Sequence, residues 1–186
     1  LTDRPIRPLF PKGLRNDVQV VLTALSVDQE NDPAILAVIG ASLALSLSDI
    51  PFDGPVGATR VGLIDGALVV NPTLQQLQHS KLDLVVAGTR DAIVMVEAGA
   101  HMVDEATLVE ALRLGQQNNR EVIALQDEVV RESGRPKMAY EPDSGPLPQA
   151  VDAVRALLGG RLESALRKGE KTERELVLAL LEKEVL

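Results

Sequence analysis

Two arginines, Arg4 and Arg7, each directly precede a proline in the stretch DRPIRPLFP at residues 3–11, and Lys12 and Arg15 follow closely. Prolines at 5, 8 and 11 forbid a continuous helix and hold the backbone extended or turned. Across residues 1–15 four cations face one carboxylate, Asp3, a local charge of +3 in a chain whose net charge is −8. A guanidinium is a planar fork of donors that matches the oxygens of a phosphate. The segment therefore reads in two ways. It is an anion site on a stiffened backbone, or an Arg–Asp pair that pins the segment to the fold.

Other reactive residue types carry less. His79 and His101, the two histidines, sit in or beside polar loops without ligand-spaced partners and read as exposed bystanders. Asp49 and Asp53 bracket a Pro/Gly loop and read as turn-stabilising residues. Ser42, Ser46 and Ser48 lack a histidine nearby in sequence and read as packing residues. The run Gly54-Pro-Val-Gly57 is too short and proline-bound to cradle a phosphate, and no Gly-Lys-Ser/Thr follows it. Glu97 has no ligand-like company. No catalytic centre emerges.

The elements that must position the arginines are strongly patterned. Asp32 and Pro33 open a helix over Ala34–Leu47 made only of apolar and small residues, a buried spine that needs cover on every side. Val18–Val27 is β-rich and predicts a buried strand. Val56–Ile64 and Ala67–Asn71 flank Asp65-Gly66, a strong hairpin signal. Thr73 caps a short helical turn. Leu82–Ala87 and Ile93–Ala98 form a second strand pair, and Asp104 opens a long helix that stops at Gly134.

Residues 135–148 hold four prolines and no periodicity, and read as a linker. Beyond it, 149–167 and 172–185 predict two short helices. Gly159-Gly160 weakens the first, and Thr172 with Glu175 predicts a capping box for the second. Two helices alone bury too little to stand by themselves.

Composition sets the frame. Hydrophobic residues make up 45% of the 186-residue chain but aromatics only 2%, so the core is aliphatic. A pI near 4.8 argues against a nucleic-acid surface spread over the whole molecule, though not against a local basic site. The absence of cysteine fits a cytoplasmic protein, and no apolar run approaches the ~20 residues that span a bilayer. A start at Leu1, hard against the arginine motif, suggests a piece of something longer.

Three blocks carry a resemblance: LTDRPIRPLFPKG, then VIGASLALSLSDIPFDGPVGATRVG, then NPT with SKLDLVVAGT. In this order they resemble the bacterial-type polynucleotide phosphorylases, over most of residues 1–135. The resemblance implies an α/β (α+β) fold: a ribonuclease-PH-like first copy over 1–134, without its N-terminal strands, the linker 135–148, and part of an all-helical domain over 149–186. It implies a phosphorolytic 3′-to-5′ exoribonuclease that releases nucleoside diphosphates and can run in reverse. The implied assembly is a cytoplasmic homotrimer on single-stranded RNA, with RNA-degradation partners and no membrane or DNA partner. Mg²⁺ is the implied cofactor and inorganic phosphate the co-substrate.

Arg4 and Arg7 match the family arginines that lie beside the RNA path, so the resemblance favours the RNA-phosphate reading of the motif. Lys12 and Arg15 are weaker candidates, by position alone. The family's metal-binding carboxylates and phosphate-binding serines belong to a second copy that this chain lacks. The chain on its own is therefore expected to be inactive, with no catalytic or metal-binding residue. The other expectation kept open is a non-catalytic scaffold subunit of an RNA-processing ring, whose arginines only brace the fold.

Overall fold

A computed structural model describes residues 1–140, 147–167 and 169–185. The expected linker 135–148 falls partly outside them, at 141–146, as do residues 168 and 186 of the expected helical tail. The chain divides into two compact units, Leu1–Pro142 and Asp143–Leu186. No helix among the described residues is long and apolar enough to cross a membrane.

The first unit is built on a four-stranded antiparallel sheet in the order β2-β1-β3-β4, with β1 Gly57–Ile64, β2 Ala67–Val70, β3 Leu82–Gly88 and β4 Ile93–Ala100. Local chemistry explains both hairpins. Asp65 and Gly66 take positive φ (50° and 82°), the paired left-handed conformation of a two-residue turn, and Ile64 pairs with Ala67. Thr73 closes a reciprocal capping box with Gln76 at the short helix α3 Leu74–Leu77.

Strand β3 is buried on both faces, so its alternate side chains feed two separate cores. Val85 and Ala87 join Ala58 and Met95 under the spine helix α2 (Ala34–Leu47), against its Ile35, Val38, Ala41 and Leu45. Leu82, Leu84 and Val86 join Val61 on the opposite face, under Ala111 of the long helix α4 (Glu105–Ser133). Each such fully buried aliphatic side chain contributes about 1.5–3 kcal/mol. Where α4 crosses β3 there is room only for glycine, since a Cβ on Gly115 would stand 2.9 Å from Val86.

A row of buried amides also holds α4 to the sheet. Asn119 Oδ1 accepts from the Thr59 hydroxyl at 2.8 Å, and its Nδ2 donates to the Val86 carbonyl at 3.2 Å. Gln116 Nε2 donates to the Thr89 carbonyl, and Gln126 Nε2 donates to that of Val56. On the α2 side, the Ser42 hydroxyl accepts from the Val56 amide at 2.7 Å. Val56, where the chain enters β1, is thus tied to both layers.

The spine helix begins as its sequence dictates: Pro33 already has helical dihedrals, and Asp32 Oδ1 accepts from the Ala34 amide at 2.9 Å. Its far end is capped from a distance. Lys137 Nζ donates to the carbonyls of Leu45, Ser46 and Ser48, at 2.8, 3.0 and 2.8 Å. Burial of that ammonium pushes its pKa down, while nearby Asp49 pulls the other way. Arg135 and Met138 donate backbone bonds to Leu47 and Asp49, so residues 135–138 strap across the helix terminus.

Several expectations are corrected. Val18–Val27 forms no strand; Val21 and Leu25 are exposed, because no described strand lies alongside to take its amides and carbonyls. The spine is not covered all round: Leu36, Gly40 and Ala44, one turn apart, form an exposed stripe away from β1 and α4. Thr172 lies inside the first turn of its helix, which starts at Lys171, so it is no N-cap.

The second unit consists of α5 Pro148–Leu158, α6 Arg161–Leu166 and α7 Lys171–Val185. Gly159, at φ 51°, breaks the first expected helix into two rather than merely weakening it. Among its described residues Ala165 and Leu181 are the buried hydrophobic ones, and Arg161 pairs with Glu184 at 2.9 Å to join α6 to α7.

Candidate nucleic-acid interface

The arginine segment is folded as two short turns, α1 Asp3–Ile6 and a 3₁₀ turn Arg7–Leu9, ending extended at Phe10. Prolines 5 and 8 fit because each falls in the first turn of its helix, where an amide is not needed. Pro5 and Ile6 are buried, Ile6 within the α2-side core. The loop after the spine fixes the exit: Asp53 N donates to the Leu9 carbonyl at 2.8 Å, and the Phe10 and Phe52 rings lie 5.5 Å apart. The backbone is held from below while Arg4 and Arg7, on either side of the buried pair, stay exposed.

Neither guanidinium is bare. Arg4 Nη1 donates to Glu97 Oε2 at 2.7 Å, and its Nη2 reaches the Val96 carbonyl at 3.4 Å, linking the N-terminal turn to edge strand β4. Arg7 grips Asp3 in bidentate fashion, Nε to Oδ2 at 3.0 Å and Nη2 to Oδ1 at 2.8 Å. All four side chains are more than half exposed. Lys12 is exposed in the turn that follows, and Arg15 is exposed and has a partner. A groove of about 370 Å³ runs beside Asp3 and Ile6, between them and Val18–Leu22.

Glu97 is the residue that sequence reasoning passed over. It stands 93 positions from Arg4, and a lone carboxylate in an edge strand carries no local signal of its partner. The ion cluster inside the same sheet face was also missed: Arg60 of β1 binds Asp83 of β3 through two nitrogens and also donates to Asp32 at the start of the spine. These bonds, Asp83 first, hold the Arg60 guanidinium more firmly protonated against the opposing effect of burial. The cluster is satisfied internally and acts as a brace. His79 and His101 are exposed, as expected.

Residues 1–51 match the model described as 3′ exoribonuclease family, domain 1, and residues 54–118 match domain 2 of the same family. The chain belongs to the 3′ exoribonuclease family.

Its curated relatives narrow the likeness. The chain is 50% identical over 184 residues to a polyribonucleotide nucleotidyltransferase of Heliobacterium modesticaldum, covering 99% of the chain and 26% of that protein. It is 52% identical over 180 residues to the protein of that name from Thermus thermophilus, covering 96% of the chain and 25% of the relative. With that from Chloroflexus aggregans it shares 48% over 186 residues, covering 100% and 24%. The chain therefore spans about a quarter of the length of these relatives.

Proposed function

We propose that this chain is the RNA-holding part of a phosphorolytic 3′-to-5′ exoribonuclease. The observation that carries the reading is the placement of Arg4 and Arg7: exposed, on a proline-stiffened turn anchored to the spine, in a chain half-identical to polyribonucleotide nucleotidyltransferases. Guanidinium forks on a preset backbone hold phosphodiesters with little ordering entropy. Lys12 adds charge beside them.

In the proposed reaction an oxygen of inorganic phosphate attacks the phosphorus of the last internucleotide linkage. The P–O3′ bond breaks, a nucleoside 5′-diphosphate leaves, and the shortened RNA keeps a 3′-hydroxyl; the reverse reaction adds a nucleotide. The arginines position the strand and neutralise its charge. Among the described residues no three carboxylate or histidine side chains converge as metal ligands. The Mg²⁺ ion, its ligands and the phosphate site belong, in this proposal, to other parts of a longer polypeptide. That polypeptide is a cytoplasmic homotrimer, in which residues 1–134 shape the channel, 135–148 connect, and 149–186 open an all-helical segment.

A scaffold reading, in which the arginines only brace the fold, is favoured by the fact that both are already paired with carboxylates. The separating assay is phosphate-dependent release of ADP from poly(A) by a protein of the relatives' full length that contains this chain. Release that requires phosphate supports the enzyme; none supports the scaffold.

A further inference from the structure

We propose that Glu97 and Asp3 are built-in competitors for the two arginines, so that RNA is held here by displacing an internal carboxylate. The inference rests on the RNA-holding role proposed above.

The geometry sets carboxylate and phosphate in competition for the same donors. Asp3 engages Nε and Nη2 of Arg7, the same pair of donors that a phosphate would take with its two non-bridging oxygens. Arg4 gives its short contact to Glu97 and is drawn further toward β4 by the Val96 carbonyl. A phosphate that takes the Nε/Nη2 edge of Arg7 or the Nη1 donor of Arg4 must replace a carboxylate of like charge.

The exposure of the pairs makes the exchange easy. The Arg4 and Glu97 side chains are 55% and 57% exposed, and those of Arg7 and Asp3 77% and 65%. Ion pairs so wetted are weak, so a strand can open them. After exchange the freed carboxylate stays next to the phosphate and weakens its grip. An exonuclease needs this, because its RNA must shift by one nucleotide each turnover and release every phosphate it has held. Asp3 lies four residues before Arg7, in the adjoining turn, whereas Glu97 is fixed on the sheet and meets Arg4 from outside.

The test is fluorescence-anisotropy titration of labelled oligo(A) onto the 186-residue chain at one fixed salt concentration. The variants are E97Q, D3N, R4A and R7A, with the doubles R4A/E97Q and R7A/D3N, and thermal melts confirm folding. Both carboxamide variants are isosteric at exposed positions, so each checks the other. The proposal expects E97Q and D3N each to bind about two- to fivefold more tightly, with the gain abolished in the matching arginine-deleted background. If R4A and R7A weaken binding but E97Q and D3N leave it unchanged or weaker, the carboxylates only orient the arginines; this inference fails and the RNA-holding role stands. A gain that persists without the arginines reflects net charge alone and also overturns it. If R4A and R7A change nothing, the RNA-holding role fails as well.

Discussion

Arg60 grips Asp83 through two nitrogens across neighbouring strands, Nε to Oδ1 at 2.7 Å and Nη2 to Oδ2 at 3.0 Å, while its remaining nitrogen takes Asp32. The guanidinium side chain is only 18% exposed, and it joins β1, β3 and the start of the spine helix at one point. Its backbone is bound as well, to Asn71 where the first hairpin ends.

Removing that guanidinium leaves two carboxylates facing each other. A fully buried pair broken on one side costs about 3–5 kcal/mol and an exposed pair about 0–1. Asp83 is 45% exposed, which places Arg60→Met between these limits, at about 2 kcal/mol in urea denaturation. Arg60→Lys keeps the charge but loses the fork, and is expected to recover only part of the loss. A cost for Arg60→Met below about 0.5 kcal/mol, within the range of neutral surface changes, contradicts the brace.

Asn119 has a comparable part on the other face. Asn119→Ala strands the Thr59 hydroxyl and removes a donor from the Val86 carbonyl, both fully enclosed. Each stranded buried group costs about 1–3 kcal/mol, so a loss of about 2–4 kcal/mol is expected in the same assay. The double variant with Thr59→Val is expected to cost less than the two singles together, since both act on one bond.

Acid sensitivity follows from the caps. Asp104 accepts from the Thr107 amide at 2.9 Å at the start of α4, and chiefly this bond lowers its pKa below the ordinary 3.8. Asp28 is lowered in the same sense, mainly by the Asn31 amide. A carboxyl with a depressed folded pKa adds stability above its unfolded pKa and loses it as pH falls through the folded value. The melting temperature is therefore expected to fall below about pH 4. Asp104→Asn keeps an acceptor for the cap without the titrating charge, so melts between pH 6 and pH 3 should show a shallower fall than wild type. An identical pH profile contradicts the assignment.

What the sequence made legible was local. Asp65-Gly66, Thr73 and Asp32-Pro33 act within a few residues, and the structure places a turn, a helix cap and a helix start there. Pairings over long separations were not legible. Val18–Val27 has strand composition, yet composition cannot supply a neighbouring strand. Asn119, Gln116 and Gln126 carried no signal of their burial, because a buried amide and a solvated one have the same sequence signature. Glu97 was set aside for the same reason: its partner is an arginine 93 residues away. Arg4 and Arg7 stood out because four cations crowd fifteen residues of an acidic chain.

In the proposed function Arg4 and Arg7 hold RNA rather than brace the fold. The most direct test is the oligo(A) affinity of the R4A/R7A double variant, measured at fixed low salt beside its melting temperature. The account predicts about a tenfold or greater loss of affinity with an almost unchanged melting temperature, since both ion pairs are exposed. Unchanged affinity per folded molecule together with a clearly lowered melting temperature would contradict it.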